Sequence, residues 1–205
     1  MGALRRIFRE HSRLSFFFLT YYFVLLAIGV LYGATGTPFY ALFLGAGALL
    51  VASLDARHPF SDLVLWGLAL WGLAHMLGGL IEVNGEALYE IELGAAQLRF
   101  DKFVHFMGFG FATLASYEVL RATTARDALP RSAAIAAFFV GVGLGALNET
   151  VEFLITLLPT DSNVGGFSNT GWDLVANTLG AGLAAWAAPG LEARRERAPG
   201  VSRGL

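Results

Sequence analysis

LSFFFLTYYFVLLAIGVLY, from Leu14 to Tyr32, is an uncharged apolar run, and about 20 such residues cross a bilayer as a helix. Arg5, Arg6, Arg9 and Arg13 precede it, as in the basic start of a secretory signal, but no convincing small-residue cleavage site follows. The run is therefore read as a retained first spanning helix. Working outward, five further apolar stretches have spanning character: Pro38 to Leu54, Phe60 to Glu82, Asp101 to Leu120, Ser132 to Leu158 and Trp172 to Ala188. The whole chain agrees. Of 205 residues 56% are hydrophobic and only 15% charged, with a mean hydropathy of +0.59, whereas soluble domains carry about a quarter charged residues. The expected fold is an all-α polytopic transmembrane helix bundle with six spanning helices. It is read as one integral membrane domain: a two-helix scaffold over 1–58, a four-helix core over 59–190 and a basic tail over 191–205.

Charge and cysteine content exclude other classes. A net charge of −2, with basic residues only in short flanks, gives no footprint for nucleic acid. The absence of cysteine removes disulfides and thiolate metal sites.

Against this apolar background stand His75, Glu82, Asp101, His105, Glu149, Glu152 and Asp173, in or bordering the spans. An ionisable side chain at the bilayer centre costs about 3 kcal/mol on insertion scales, so a set of them is expected to face inward and share partners. Lys and Arg placement gives the orientation. All of the 14 basic residues except Arg99 and Lys102 lie in the N-terminal flank, the second and fourth loops and the tail. Both termini are then cytoplasmic. The polar residues of helices three to six consequently share one depth near the outer leaflet, where Lys102 and Arg99 are positioned to meet a phosphate. Glu118 falls at the opposite end beside Arg121 and reads as a solvated pair.

Spacing supports convergence. Asp101 and His105, Glu149 and Glu152, and Asp173 and Asn177 stand three or four residues apart, so each pair shares a helical face. Gly108 and Gly180 continue two of these faces, and Gly141 and Gly145 form a small-xxx-small pair suited to close helix approach. Between helices three and four, Val83 to Phe100 is polar and glycine-containing, and is expected to form an interfacial helix or a small hairpin.

The runs His75-Met-Leu-Gly-Gly79, Asp101-Lys-Phe-Val-His-Phe106 followed by Gly108-Phe-Gly, Asn148-Glu-Thr-Val-Glu-Phe153 and Asn169-Thr-Gly-Trp-Asp-Leu-Val-Ala-Asn-Thr-Leu-Gly-Ala181 occur in this order on successive helices. Together they resemble the YjdF-like family of bacterial inner-membrane proteins. The Asp-Lys-x-x-His and Asp-x-x-x-Asn-x-x-Gly-Ala helices are more distantly similar to VanZ-like proteins, associated with the cell envelope and glycopeptide resistance. The resemblance implies a multi-pass protein of the bacterial inner membrane.

Imidazoles and carboxylates in one bundle suit a divalent metal such as zinc, manganese or iron. The expected ligands are His75, Asp101, His105 and Glu149, with Glu152 or Asp173 as general base or orienting group, and Glu82, Lys102, Asn148 and Asn177 as further members of the polar cluster. An open coordination position would serve a hydrolase or transferase acting on a lipid-linked or envelope substrate. The alternative is a non-catalytic protein that binds or transports a cation, lipid or small polar solute; no internal repeat or nucleophile motif argues further. The structural reading is that Asp101 and Asp173 cap helix starts. It leaves His75, Glu149 and Glu152 unexplained. Ser162, Ser168 and Thr170 are read as turn residues of an outer loop, and Trp66, Trp71, Trp172 and Trp186 as interface or lipid-facing residues.

Overall fold

The computed structural model describes residues 3–94, 98–124, 129–157 and 166–197; Arg126, Ser162, Arg203 and much of the tail lie outside them. Among these residues it is all-α apart from one small hairpin and an isolated bridge between Glu92 and Arg99. Among the described residues six helices are long and apolar enough to cross a membrane: α2 (Ser12–Leu31), α3 (Thr37–Asp55), α4 (Asp62–Leu80), α5 (Phe100–Thr123), α6 (Pro130–Thr156) and α7 (Phe167–Arg197). A short basic helix, α1 (Ala3–Glu10), precedes them. The described residues fall into two compact units, Met1–Met107 and Gly108–Leu205, divided inside α5.

In the first unit, local chemistry sets the helix ends. After α2, Gly33 takes φ +69°, and the amides of Ala34 and Gly33 bond to the carbonyls of Gly29 (2.8 Å) and Val30 (3.2 Å). This doubly bonded glycine cap satisfies carbonyls that a bilayer would leave bare. Ser61 caps α4, its side chain accepting from the Val64 amide at 3.3 Å, and Asp62 sits in the positive first turn. Tyr21 and Leu25 of α2, Tyr40 and Leu44 of α3, and Met76 and Leu80 of α4 make the core. Phe16, Phe23, Leu42 and Leu50 face outward, as expected when the solvent is lipid.

α4 ends two residues short of the expected Glu82, because Ile81 turns extended. The chain then forms the hairpin β1 (Glu82–Val83) and β2 (Glu86–Ala87), and a 3₁₀ turn over Leu88–Glu90. Of the two forms expected for this segment, the hairpin is the one adopted. Its turn, Asn84-Gly85, has φ of +56° and +86°, the left-handed pair that favours these two residues.

The second unit contains the rest of α5 with α6 and α7. Tyr117, Ala133, Ala134, Ala137 and Ala188 form its core. The helices approach on small residues: a Cβ placed on Gly141 would collide with Thr113 Oγ1 and lie 3.2 Å from Ala181 Cβ, while one on Gly110 would lie 3.4 Å from the Gly180 carbonyl oxygen. The Gly141 and Gly145 pair read from the sequence is therefore a helix-packing seam. Gly110 meets Gly180.

α7 is longer than the sequence suggests at both ends. It starts at Phe167, which puts Ser168 and Thr170 in its first turn and not in a loop, and it continues through Pro189. Beyond the proline, Glu192 accepts from the Tyr117 hydroxyl and pairs with Arg121 at 3.1 Å. Arg195 reaches Glu118 at 3.8 Å. The charged end of α5 is thus held against α7, and Glu118 faces Arg195 of another helix.

Candidate functional site

Of the polar residues expected to converge, the first unit holds His75, Glu82, Asp101, Lys102 and His105, and the second holds Asn148, Glu149, Glu152, Asp173 and Asn177.

In the second unit the last turns of α6 meet the first turns of α7. One carboxylate oxygen from each of Glu149, Glu152 and Asp173 lies within 4.8 Å of the other two. Glu149 is 5% exposed, Asp173 0% and Asn177 1%. Each carboxylate receives a side-chain amide N–H. Asn177 Nδ2 donates to Glu149 Oε1 at 3.2 Å, Asn148 Nδ2 to Glu152 Oε1 at 2.7 Å and Asn169 Nδ2 to Asp173 Oδ2 at 2.7 Å. The Asn177 bond spans the two helices; the other two join residues four apart on one helix. Gly145 makes the crossing bond possible, because a Cβ there would lie 2.9 Å from the Asn177 Cβ. The sequence reading missed Asn169. Its signal was present, since Asn169, Asp173 and Asn177 follow at intervals of four and share one face.

Three carboxylates at this spacing repel. Two unit charges 4.8 Å apart cost about 3 kcal/mol even at an effective dielectric of about 20. Amide donors offset part of this and fix the rotamers; a bound cation or shared protons offset the rest. Oxygen donors of this type, oriented by outer amides, match the ligand chemistry of a divalent ion.

In the first unit Asp101 and Lys102 form a buried ion pair, 8% and 7% exposed. Lys102 Nζ lies 2.8 Å from Asp101 Oδ2, and the Lys102 amide donates to Asp101 Oδ1 at 2.7 Å. Both oxygens of Asp101 are thus engaged by its neighbour. Glu82 is exposed on the hairpin, and Arg99 pairs with Glu90. His105 is partly buried on α5, the helix in which the two units divide.

His75 is walled by aromatic rings. Trp71 stacks on it at 5.4 Å and 14°, with Tyr40 at 5.1 Å, Phe43 at 5.7 Å and Tyr89 at 5.9 Å. Trp71 is therefore an internal wall, unlike Trp186, which is exposed. The Tyr89 hydroxyl meets His75 Nδ1 and donates to the His75 carbonyl at 2.8 Å. Tyr89 was not a sequence candidate, because it reaches His75 only through the hairpin.

Six apolar spanning helices that carry buried carboxylates, amides and imidazoles define a polytopic membrane protein with polar groups built into its spans. A family model described as Predicted membrane protein (DUF2238) matches residues 13–194, and the chain belongs to that family. No curated protein and no solved structure matches it.

Proposed function

We propose that this membrane protein holds a divalent cation, zinc, manganese or iron, on Glu149, Glu152 and Asp173. The observation that carries the proposal is the trio of carboxylates within 4.8 Å, two of them buried and each met by an asparagine amide. Asp101, engaged by Lys102, is left out of the ligand set assigned from sequence. Bound at an open position, such an ion supplies Lewis acidity and a water of lowered pKa. Asn148, Asn169 and Asn177 hold the carboxylate oxygens in place, and a carboxylate of the trio not spent on the ion accepts the proton of an attacking water. The substrate class we infer is a lipid-linked or envelope phosphoester or ester, in keeping with the resemblance to YjdF-like and VanZ-like proteins and a bacterial inner-membrane location.

Elemental analysis of detergent-purified protein tests this, with Glu149→Gln and Asp173→Asn beside the parent. We expect about one ion per chain in the parent and its loss in the carboxylate variants. No stoichiometric metal in the parent overturns the reading. Metal without hydrolysis of lipid-linked phosphoesters would favour a cation-binding or transport protein.

A further inference from the structure

The short basic helix α1 is too short to span, and its side chains divide by what they meet. Arg6 turns inward. Its guanidinium donates from Nε to Glu10 and from Nη1 to the Ala56 carbonyl, both at 2.9 Å. Ala56 is the C-cap of α3, so this cation meets a carbonyl of the kind that a helix C-terminus leaves over. The Ile7 carbonyl accepts from the His11 amide at 2.8 Å and from Ser15 Oγ at 3.4 Å, and His11 Nδ1 lies 3.6 Å from Asp62 Oδ1 at the start of α4. His11 itself leaves helical geometry, with φ −124° and ψ +48°. The helix is therefore turned out of line with α2 and fixed to the ends of α3 and α4, all within the first unit.

The other side of α1 is uncovered. Leu4 is 50% exposed and Phe8 46%; Arg5, Arg9 and Arg13 are exposed as well, and Arg9 stands only loosely beside Glu10, at 3.7 Å. Leu4 and Phe8 are four residues apart and share a face, and Arg5 and Arg9 share the face next to it. An apolar strip thus runs beside a cationic one. The spanning helix α2 begins at Ser12, two residues after α1 ends, and Phe16, exposed in its second turn, opens the lipid-facing surface. The two strips stand where hydrocarbon gives way to head groups.

We infer that α1 is an interfacial helix that binds anionic phospholipid, with Leu4 and Phe8 among the acyl chains and Arg5 and Arg9 on head-group phosphates, Arg13 adding a third cation. Charge complementarity identifies the lipid, since each basic residue near an anionic surface strengthens the attraction about fivefold, equivalent to about 1 kcal/mol. Arg6 is engaged by the protein and serves to hold the helix in place. The inference is independent of the metal reading.

The test uses the full chain in nanodiscs of phosphatidylcholine, alone or mixed with phosphatidylglycerol in equal parts. A nitroxide on Phe8→Cys, in a chain with no other cysteine, reports depth. In the mixed disc its relaxation by oxygen should exceed that by a water-soluble nickel chelate, and Arg5→Gln with Arg9→Gln should reverse this. In a second measurement, which needs no label, lipid is titrated into detergent-purified protein and followed by native mass spectrometry. The parent should prefer phosphatidylglycerol to phosphatidylcholine, and the preference should fall about fivefold for each arginine removed. A nickel-accessible Phe8 label in the mixed disc would leave the strip for a soluble protein or a second copy, and overturns the inference. So does equal binding of the two lipids by the parent, or an unchanged preference in the double variant. Displacement of phosphatidylglycerol by an equal concentration of glycerol phosphate would mark a site for free phosphate instead, and overturns it too.

Discussion

Gly145 and Gly143 stand two residues apart on α6 and make opposite demands. A Cβ at Gly145 would press on Asn177, 2.9 Å from its Cβ and 3.0 Å from its Nδ2, whereas one at Gly143 meets nothing within 4 Å. Gly145→Ala should therefore displace Asn177 and cost about 1 to 3 kcal/mol as overpacking, while weakening cation binding through the lost amide contact to Glu149. Gly143→Ala should be neutral or slightly stabilising, because alanine is the better helix former. Thermal unfolding in detergent and metal titration of both variants check the contrast; equal behaviour would deny that the Gly145 seat matters. At this scale the sequence showed which residue types were out of place in a bilayer and which shared a face. Glu149, Asp173 and Asn177 are buried as periodicity implies. The engagement of Asp101 by the adjacent Lys102 was hidden, because neighbouring residues do not face each other on an ideal helix and long side chains bend to meet.

At the scale of elements, the spans were legible because hydropathy over about 20 residues is a strong signal. Their ends were less so. α7 runs through Pro189, although proline normally marks an end, because Glu192 and Arg195 find partners on α5. Glu192→Ala should loosen the last turns of α7 at a cost of about 1 to 2 kcal/mol, seen as faster amide exchange beyond Pro189; unchanged protection would mean that the helix persists without those bonds. The hairpin likewise depends on tertiary reward. Gly85→Val, at φ +86°, should strain the turn by about 1 to 2 kcal/mol and loosen the Tyr89 hydrogen bond to the His75 carbonyl, seen as a lower unfolding temperature in detergent. At the other terminus, Arg6 donates to Glu10 at 2.9 Å in α1, and that hydrogen bond holds the Glu10 carboxyl below its ordinary range. A lowered folded value means that the pair contributes above the unfolded carboxylate range and is lost as pH falls through the lowered one. Carbon-13 titration of Glu10 should show the low midpoint, and Arg6→Gln should restore the ordinary one.

For the molecule as a whole, the claim most exposed to test is the number of spans and their direction. α7 has 31 residues, about 46 Å at 1.5 Å per residue, well beyond the roughly 30 Å of hydrocarbon. Its Arg194, Arg195 and Arg197 end therefore extends into water or head groups, and positive residues are also frequent in α1 and at Arg57 and Arg121. The proposed orientation follows from that asymmetry: N-terminus and C-terminus inside, and the carboxylates of the last turns of α6 and the first turns of α7 toward the outer face. Thr35, between α2 and α3, and Thr124, at the end of α5, are separated by three spanning helices, so an odd number of crossings places them on opposite sides. Single cysteines there, in a chain that has none of its own, should react with a membrane-impermeant maleimide from opposite faces, Thr35→Cys from outside in intact cells and Thr124→Cys only after permeabilisation. The reversed pattern would keep six spans but invert the molecule, moving the carboxylates to the cytoplasmic face and removing the argument for an envelope substrate. Labelling of both from one side would mean that at least one apolar helix among α3, α4 and α5 does not cross.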